Sequence, residues 1–563
     1  MPYTSPAQDI YFTLSHVLDF KSVQGTDRFA DATDETTRAI LTEAARLCDD
    51  VLAPLNRAGD THPARLENGI VRTSPGFSDG YRAIAVGGWV GIASSPEFGG
   101  MGLPLTLATA VNDMMAGACL SLQLNPLMTQ GQIEALEKHA SDTLKELYLP
   151  KLISGEWNGT MNLTEPQAGS DVGALTTKAT PNDDGTYAIT GQKIYISWGD
   201  NDFTGNVCHL VLARLPDAAP GTKGISLFMV PKWLPNADGT AGAANALRVV
   251  SLEHKTGLHG SPTAVMSYEG ATGWLVGAPH AGMAAMFTMM NNARLGVGTQ
   301  GIGVAEGAFQ KALAYAQDRQ QGRAKIVEHA DVRRMLATMK AETFAARAIA
   351  LDCAISLDMA TATADPAATA RAAFLTPIAK AFGTETGISV SNLGIQVHGG
   401  MGYIEETGAS QYLRDVRVTA IYEGTNGIQA MDLVGRKLMD EGEAAFALLE
   451  EIETATEKAR ASLPDLADPV WQAAETLREA TEALLARDPA SRMGASVPYL
   501  MGFASVLGGH YHLAAALSGD ASRTRLAQFY ISHLLPKHAG DLARAHVADD
   551  VLMSLTAENL ATP

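Results

Sequence analysis

The sequence predicts an α+β chain with segregated layers, in which helices are followed by strands and then by helices again. Three observations predict it. Apolar residues recur at helical spacing from Asp34 to Leu55, and again from Met283 onward. Between them, from about Gly159, short apolar or alternating runs are separated by turn residues such as Asn182-Asp183-Asp184-Gly185, the pattern of an antiparallel β domain. At 563 residues the chain is also longer than one core normally serves, so several domains are expected.

The elements follow in order. Residues 1–158 read as a helical domain. Thr33 and Asp34 are good helix starters, Ile40, Ala44, Leu47 and Val51 share a face, and Pro54 is read as the end of that run. After the loop Gly99 to Pro104, a long apolar helix is expected from Leu105 to Leu122. Residues 159–280 form the β domain, with strands at Tyr187 to Ser197, Val207 to Ala213, Ile225 to Pro231, Leu247 to Leu252 and Thr263 to Tyr268. Residues 281–440 return to helix, for example Ala330 to Met359 and Arg371 to Leu393. A further helical segment, 441–563, is punctuated by Pro464, Pro469, Pro489 and Pro498 and carries no chemical constellation.

Composition removes several classes of function. The chain is 46% hydrophobic and 18% charged, which is globular. A net charge of −19 argues against a nucleic-acid partner, because phosphates need Lys and Arg. The four cysteines are dispersed and form no Cys-x-x-Cys, which fits buried packing and no metal site. No secretory signal is read in the opening Met1-Pro2-Tyr3-Thr4-Ser5-Pro6, and no uncharged apolar run is read as long enough to span a bilayer. The expectation is a soluble cytoplasmic protein with no membrane partner.

The chemistry gathers around Ile421-Tyr422-Glu423-Gly424-Thr425-Asn426-Gly427-Ile428-Gln429. A carboxylate there sits beside an aromatic ring, with a glycine that lets a ligand approach and donors at the start of the next helix. A carboxylate so placed can act as a base. Upstream, Met161-Asn162-Leu163-Thr164-Glu165-Pro166-Gln167-Ala168-Gly169-Ser170-Asp171 reads as a turn-rich loop offering hydroxyls and backbone amides to the edge of a flat heterocycle. Gly191-Gln192-Lys193-Ile194-Tyr195-Ile196-Ser197-Trp198 places two aromatics around a serine at a strand end. Arg294, following Asn291-Asn292-Ala293 and read as lying near a helix start, suits a phosphate or a base. Asp318-Arg319 and Gln396-Val397-His398-Gly399-Gly400-Met401-Gly402-Tyr403 add a guanidinium and a glycine-rich approach. The latter is not a Gly-x-Gly-x-x-Gly within a βαβ unit, so a Rossmann site is disfavoured.

Each of these is ordinary alone. In this order and together, the sequence resembles the acyl-CoA dehydrogenase family over residues 1 to about 440. The residues that carry the resemblance are Leu163-Thr164-Glu165-Pro166 with Gly169-Ser170-Asp171, then Gly191-Gln192-Lys193, Arg294, Arg319, Gln396 with Gly399, Gly400 and Gly402, and Tyr422-Glu423-Gly424-Thr425.

The resemblance implies a helical domain, a middle β domain and a C-terminal four-helix domain with FAD between them, followed here by an extra helical domain. It implies that Glu423 is the catalytic base and that the flavin edge meets Leu163, Thr164, Gly169 and Ser170. Met161 takes a position that often holds an aromatic over the flavin. Tyr195 stands where a Trp is usual, and Ser197 where a Thr is usual. Arg319, Gln396 and Gly400 would hold the FAD diphosphate and adenosine across a subunit interface, and Thr425 would touch its phosphates. Ser170, Arg294, Tyr422 and Gly424 would serve the acyl-CoA.

Three departures stand out. Asn291 replaces a usual acidic residue, Gly322 stands where a Phe is frequent, and the domain after Glu441 resembles that of the large, dimeric members. Leu252 to Pro262, Met289 to Gly298 and the Met1-Pro2 opening resemble the large bacterial members acting on 3-(methylthio)propanoyl-CoA in dimethylsulfoniopropionate breakdown. The implied reaction is α,β-dehydrogenation of an acyl-CoA thioester, with an electron-transfer flavoprotein as acceptor and a homodimer as the assembly. The alternatives are a short- or medium-chain fatty acyl-CoA dehydrogenase, an acyl-CoA oxidase, and a non-catalytic flavoprotein on the same scaffold.

Overall fold

The strand-rich segment folds as a seven-stranded sheet. Its strands are β1 (Trp157–Asn162), β2 (Lys178–Pro181), β3 (Tyr187–Ser197), β4 (Asn206–Arg214), β5 (Ile225–Pro231), β6 (Leu247–Leu252) and β7 (Thr263–Val276). The structure, a computed structural model, describes residues 3–547 and 550–561, so the Met1-Pro2 opening lies outside the described residues. The sheet order is β6-β7-β3-β2-β4-β1, with β5 pairing β7 and β4.

Pairing is antiparallel, as alternation predicts, with one refinement. β1 runs parallel to β4 from Trp157↔Asn206 to Asn162↔Val211, and β2 meets β4 in parallel at a single pair. β1 also corrects the reading of Met161-Asn162 as loop. Its sequence hides it, because Asn158, Thr160 and Asn162 are polar yet buried. Partners inside the sheet make that possible: Thr160 Oγ1 lies 2.7 Å from His209 Nδ1, and the Tyr268 hydroxyl donates to Asn162 Oδ1 at 2.9 Å.

The chain divides into two compact units, one built on Thr42–Gly296 and the other on Pro6–Leu41 with Val297–Pro563. Pro6–Leu41 thus group with the later helices rather than with the helices that directly follow them in sequence. In the first unit, α1 (Leu105–His139) extends well beyond Leu122 and is interrupted at Cys119, whose φ of −159° and ψ of 87° are not helical. Gln123 Nε2 donates to Asn112 Oδ1 at 3.2 Å, and Asn112 Nδ2 donates to Gln130 Oε1 at 2.9 Å. Straight helix would hold positions 112 and 130 about 27 Å apart, so α1 folds back on itself at the interruption. Its second stretch covers the sheet edge, where Thr129 Oγ1 accepts the Gly159 N–H at 3.0 Å.

Several expectations are corrected here. Pro54 does not end the helical run: π-helical turns at Leu47–Leu52 lead directly into Ala53–Thr61, which carries Pro54 in its first turn. Pro464 likewise begins a helix rather than breaking one. Two helical stretches, Leu105–His139 and Pro489–Leu517, do reach membrane-spanning length and apolarity, but 94% and 83% of their apolar windows are buried within the protein. All four cysteines are buried, as expected.

The second unit is built on the later part of α2 (Gly282–Asp318), α3 (Ala330–Thr363) and α4 (Pro366–His398). The Gly-rich run of α2 serves helix packing. A Cβ on Gly298 or Gly301 would lie 2.5 or 2.2 Å from the Ala379 or Gly383 carbonyl oxygen. A short helix α5 (Asn426–Asp432) precedes α6 (Glu443–Ala459), α7 (Pro464–Leu485) and α8 (Ser496–Leu517). Arg371 of α4 binds Asp352 of α3 at 2.7 Å and Glu451 of α6 at 2.6 Å, and the Tyr511 hydroxyl of α8 donates to Asp352 at 2.6 Å.

The N-terminal segment is fastened by charge. Asp9 pairs with Lys340 at 3.0 Å, with Arg347 at 3.5 Å and with Arg523, while Glu306 binds Arg347 at 3.2 Å. Burial alone would raise the Asp9 carboxyl, but Lys340, Arg347 and Arg523 hold it well below the ordinary carboxylate range. Asp9→Asn should lower stability by about 2 kcal/mol. Thermal unfolding measures this, and a transition unchanged from wild type would refute it.

Candidate active site

In the first unit the predicted flavin loop is pinned to β3 from beneath. The Ile194 N–H donates to the Thr164 carbonyl at 2.9 Å, and Lys193 Nζ donates to the Leu163 carbonyl at 2.9 Å. Lys193 also binds Glu165 at 2.8 Å, the pair being 0% and 2% exposed. Glu165 further accepts from Thr176 N and Oγ1 at 2.7 and 2.9 Å, from Thr177 N and Oγ1 at 3.0 and 2.5 Å, and from Gln167 Nε2 at 2.7 Å. Burial raises this carboxyl, but Lys193 and the hydrogen bonds outweigh it and hold the group at about 2. Burial lowers the Lys193 ammonium to about 8 against the pull of Glu165. The loop backbone is therefore set by a buried, hydrogen-bonded ion pair.

Above this pair, Met161, Leu163, Thr164 and Ser197 are half-buried, while Gly169 and Ser170 are exposed on the loop. The hydroxyls of Thr164 and Ser197 have no hydrogen-bonding partner among the described residues. Tyr195 is 61% exposed and has φ of +60°, so its ring stands out from the strand end. Trp198, its companion in sequence, is instead fully buried and donates Nε1–H to the Ser121 carbonyl at 3.2 Å. Arg294 needs correction: it lies well inside α2, not near its start, and is only 5% exposed, with Nη1 3.5 Å from Asn291 Oδ1.

In the second unit, Tyr422, Glu423, Gly424 and Thr425 form one half-buried turn. Thr425 caps α5 by accepting the Ile428 N–H at 3.2 Å. Asn426 is held by α4: Lys380 Nζ donates to its Oδ1 at 3.0 Å, and its Nδ2 donates to Glu385 at 2.7 Å. The Tyr422 hydroxyl donates to Gln300 Oε1 on α2. Burial, and then the Glu423 charge, push the Tyr422 phenol far above its ordinary range, so it stays a neutral donor.

Arg319, Gln396 and Gly400 are all exposed. Tyr315 and His398 stack at 4.4 Å and join the ends of α2 and α4 that carry them. Burial lowers the His398 imidazole, and its Nδ1 lies 2.7 Å from the Gly394 carbonyl, so His398 is a packing residue. Nothing lies within 4 Å of a Cβ placed on Gly399 or Gly400, which leaves the backbone open to a ligand. In the first unit, unpartnered hydroxyls beside a pinned loop fit the edge of a flavin ring. In the second, taken by itself, an open glycine cradle with an exposed guanidinium fits a nucleotide diphosphate. Sequence reasoning assigned no role to Gln429, although that residue ends the central stretch, and missed Gln300 and the positioning role of the Glu165–Lys193 pair. Glu165 and Lys193 stood inside the quoted motifs, but their partnership spans the β domain and leaves no local signal.

Comparison with known proteins decides the family. Acyl-CoA dehydrogenase N-terminal, middle and C-terminal domain models match residues 34–156, 160–271 and 280–439, and an acetyl-CoA dehydrogenase C-terminal-like model matches 448–556. A 3-methylmercaptopropionyl-CoA dehydrogenase of Ruegeria pomeroyi is 43% identical over 92% of this chain and 92% of its own. The chain belongs to the acyl-CoA dehydrogenase family. As a member it is an FAD-dependent oxidoreductase. A butyryl-CoA dehydrogenase of Syntrophomonas wolfei is 33% identical over 99% of both chains. The crystal structure of Caenorhabditis elegans ACDH-11 in complex with C11-CoA shares the fold, with a TM-score of 0.81 over 99% of this chain and 96% of its own at 20% identity. The acyl-CoA dehydrogenase fold thus extends through the additional C-terminal helices.

Proposed function

We propose that this acyl-CoA dehydrogenase oxidises 3-(methylthio)propanoyl-CoA to its 2-enoyl thioester, with Glu423 as base. The single observation that carries the substrate is the 43% identity to the Ruegeria pomeroyi enzyme over nearly the whole of both chains. Thr164, Ser197 and the Leu163 backbone are read as meeting the flavin ring. Arg319, Gln396, Gly400 and Thr425 are read as meeting its phosphates and adenosine. Ser170 and the buried Arg294 are assigned to the CoA portion.

The α-proton of a thioester is a weak acid in water, so its removal needs a placed base and donors for the developing oxygen charge. Glu423 takes that proton on its carboxylate, and its backbone N–H donates to the thioester oxygen. Gly424 leaves room for the thioester beside the turn. When bound, FAD supplies the acceptor for the β-hydrogen, which leaves as hydride. Tyr422 and the walls around it exclude water, which strengthens the hydrogen bonds formed in the transition state. An electron-transfer flavoprotein then receives the electrons, and a second copy of the chain completes the FAD site as a homodimer.

The experiment is anaerobic bleaching of the flavin by 3-(methylthio)propanoyl-, butanoyl- and octanoyl-CoA. The first should bleach it with the highest kcat/KM. A clear preference for octanoyl-CoA would overturn the substrate assignment. A preference for butanoyl-CoA would favour the short-chain reading that the Syntrophomonas wolfei relative supports. In a separate aerobic assay, hydrogen peroxide released at the rate of substrate turnover would mark an oxidase.

A further inference from the structure

Glu423 holds a backbone conformation that glutamate seldom adopts. Its φ is +55°, and Gly424 follows at +83°. Outside glycine, a left-handed residue is strained and persists only where its surroundings over-determine it. Those surroundings lie on both sides of the turn. On one side the Tyr422 hydroxyl is anchored to Gln300. On the other lies Gln429, fully buried, whose Nε2 donates to the Glu423 carbonyl at 3.1 Å and reaches the Gly424 carbonyl at 3.4 Å.

The Gln429 backbone is itself fixed, since its N–H donates to the Thr425 carbonyl at 3.0 Å within α5. A Cβ on Gly424 would sit 2.9 Å from the same Nε2, so the amide lies directly against the turn. The other end of the amide, Oε1, is buried without a hydrogen-bonding partner among the described residues. An apolar side chain of equal size would fill the space without leaving a buried acceptor unsatisfied. What glutamine adds at this position is its N–H.

We propose that Gln429 is the positioning residue of the catalytic base. Its amide pins the two carbonyls that follow the Glu423 α-carbon, so the carboxylate and the preceding peptide N–H keep one direction toward the thioester. The inference rests on Glu423 being the base, and it assigns the direct hold on the left-handed carbonyls to one side chain six residues later in the same stretch. With that amide gone, the turn can relax and the peptide planes around Glu423 can rotate.

The test uses the FAD-loaded protein with Gln429→Met, which keeps the volume and removes the donor, and Gln429→Glu, which keeps the shape. Flavin content, thermal midpoint and anaerobic flavin reduction by 3-(methylthio)propanoyl- and butanoyl-CoA are measured between pH 6 and 9. The expected result is retained FAD, a reduction rate at saturating substrate lowered about 10- to 100-fold, a little-changed half-saturation concentration, and a displaced pH profile. Two results would overturn the proposal. One is flavin reduction at the wild-type rate and pH profile in Gln429→Met. The other is loss of rate in both variants only in proportion to lost FAD or lost fold, which would mark a purely structural glutamine. Wild-type flavin reduction in Glu423→Gln would instead refute Glu423 as base, leaving the two failures distinguishable.

Discussion

Replacing Glu423 with Gln is expected to slow flavin reduction by acyl-CoA at least about 10³-fold while FAD stays bound. The substitution keeps the size of the side chain and removes only its ability to take a proton. The turn should survive, because its left-handed backbone is held by Gln429 and by the Tyr422–Gln300 bond, neither of which involves the Glu423 carboxylate. Stopped-flow absorbance of the variant under anaerobic conditions gives the rate, and its visible spectrum gives the FAD content. A variant that bleaches at the wild-type rate would remove Glu423 from the mechanism.

The largest stability effect is expected at Glu165. Replacing it with Leu leaves Lys193 as an uncompensated cation at 0% exposure, a change worth about 3–5 kcal/mol. It also frees Thr176 and Thr177 and loosens the Leu163 carbonyl that Lys193 holds, so FAD should bind more weakly. A double variant, Glu165→Leu with Lys193→Met, should recover much of the stability, since no buried charge remains. Thermal unfolding of the three proteins tests this, and equal midpoints for the single and double variants would refute it. The pH dependence follows from the direction of the shift. The folded carboxyl stands at about 2 against an ordinary value of 4.5, so its stabilisation is complete above 4.5 and drains away as pH falls toward 2. Wild-type protein should lose more stability across that window than the double variant does.

The two effects differ in how far they could be read in advance. The turn at Glu423 was legible because carboxylate, glycine and capping threonine are adjacent in sequence, and the upstream constellations come in a fixed order. β3 was legible for a similar local reason: Tyr187–Ser197 alternates along its length and is bounded by turn residues. β1 was not, because its buried Asn158, Thr160 and Asn162 look like loop until His209, Tyr268 and Asn201 supply their partners. The reading of Arg294 failed similarly. An arginine after two asparagines suggests a helix start, but burial within α2 is a property of the fold.

By itself, then, the sequence determined the order of helix, strand and helix, the family, and the turn that carries Glu423. Periodicity, turn chemistry and adjacent motif residues are local, and locality is what one chain displays. The tertiary structure alone decided which residues make that turn rigid. Gln429 reaches back to the Glu423 and Gly424 carbonyls, Gln300 anchors Tyr422 from α2, and Lys193 meets Glu165 across the β domain. Each of these is a contact between groups that the chain brings together only on folding. Their energies depend on burial and hydrogen-bond geometry, which spacing along a sequence does not encode.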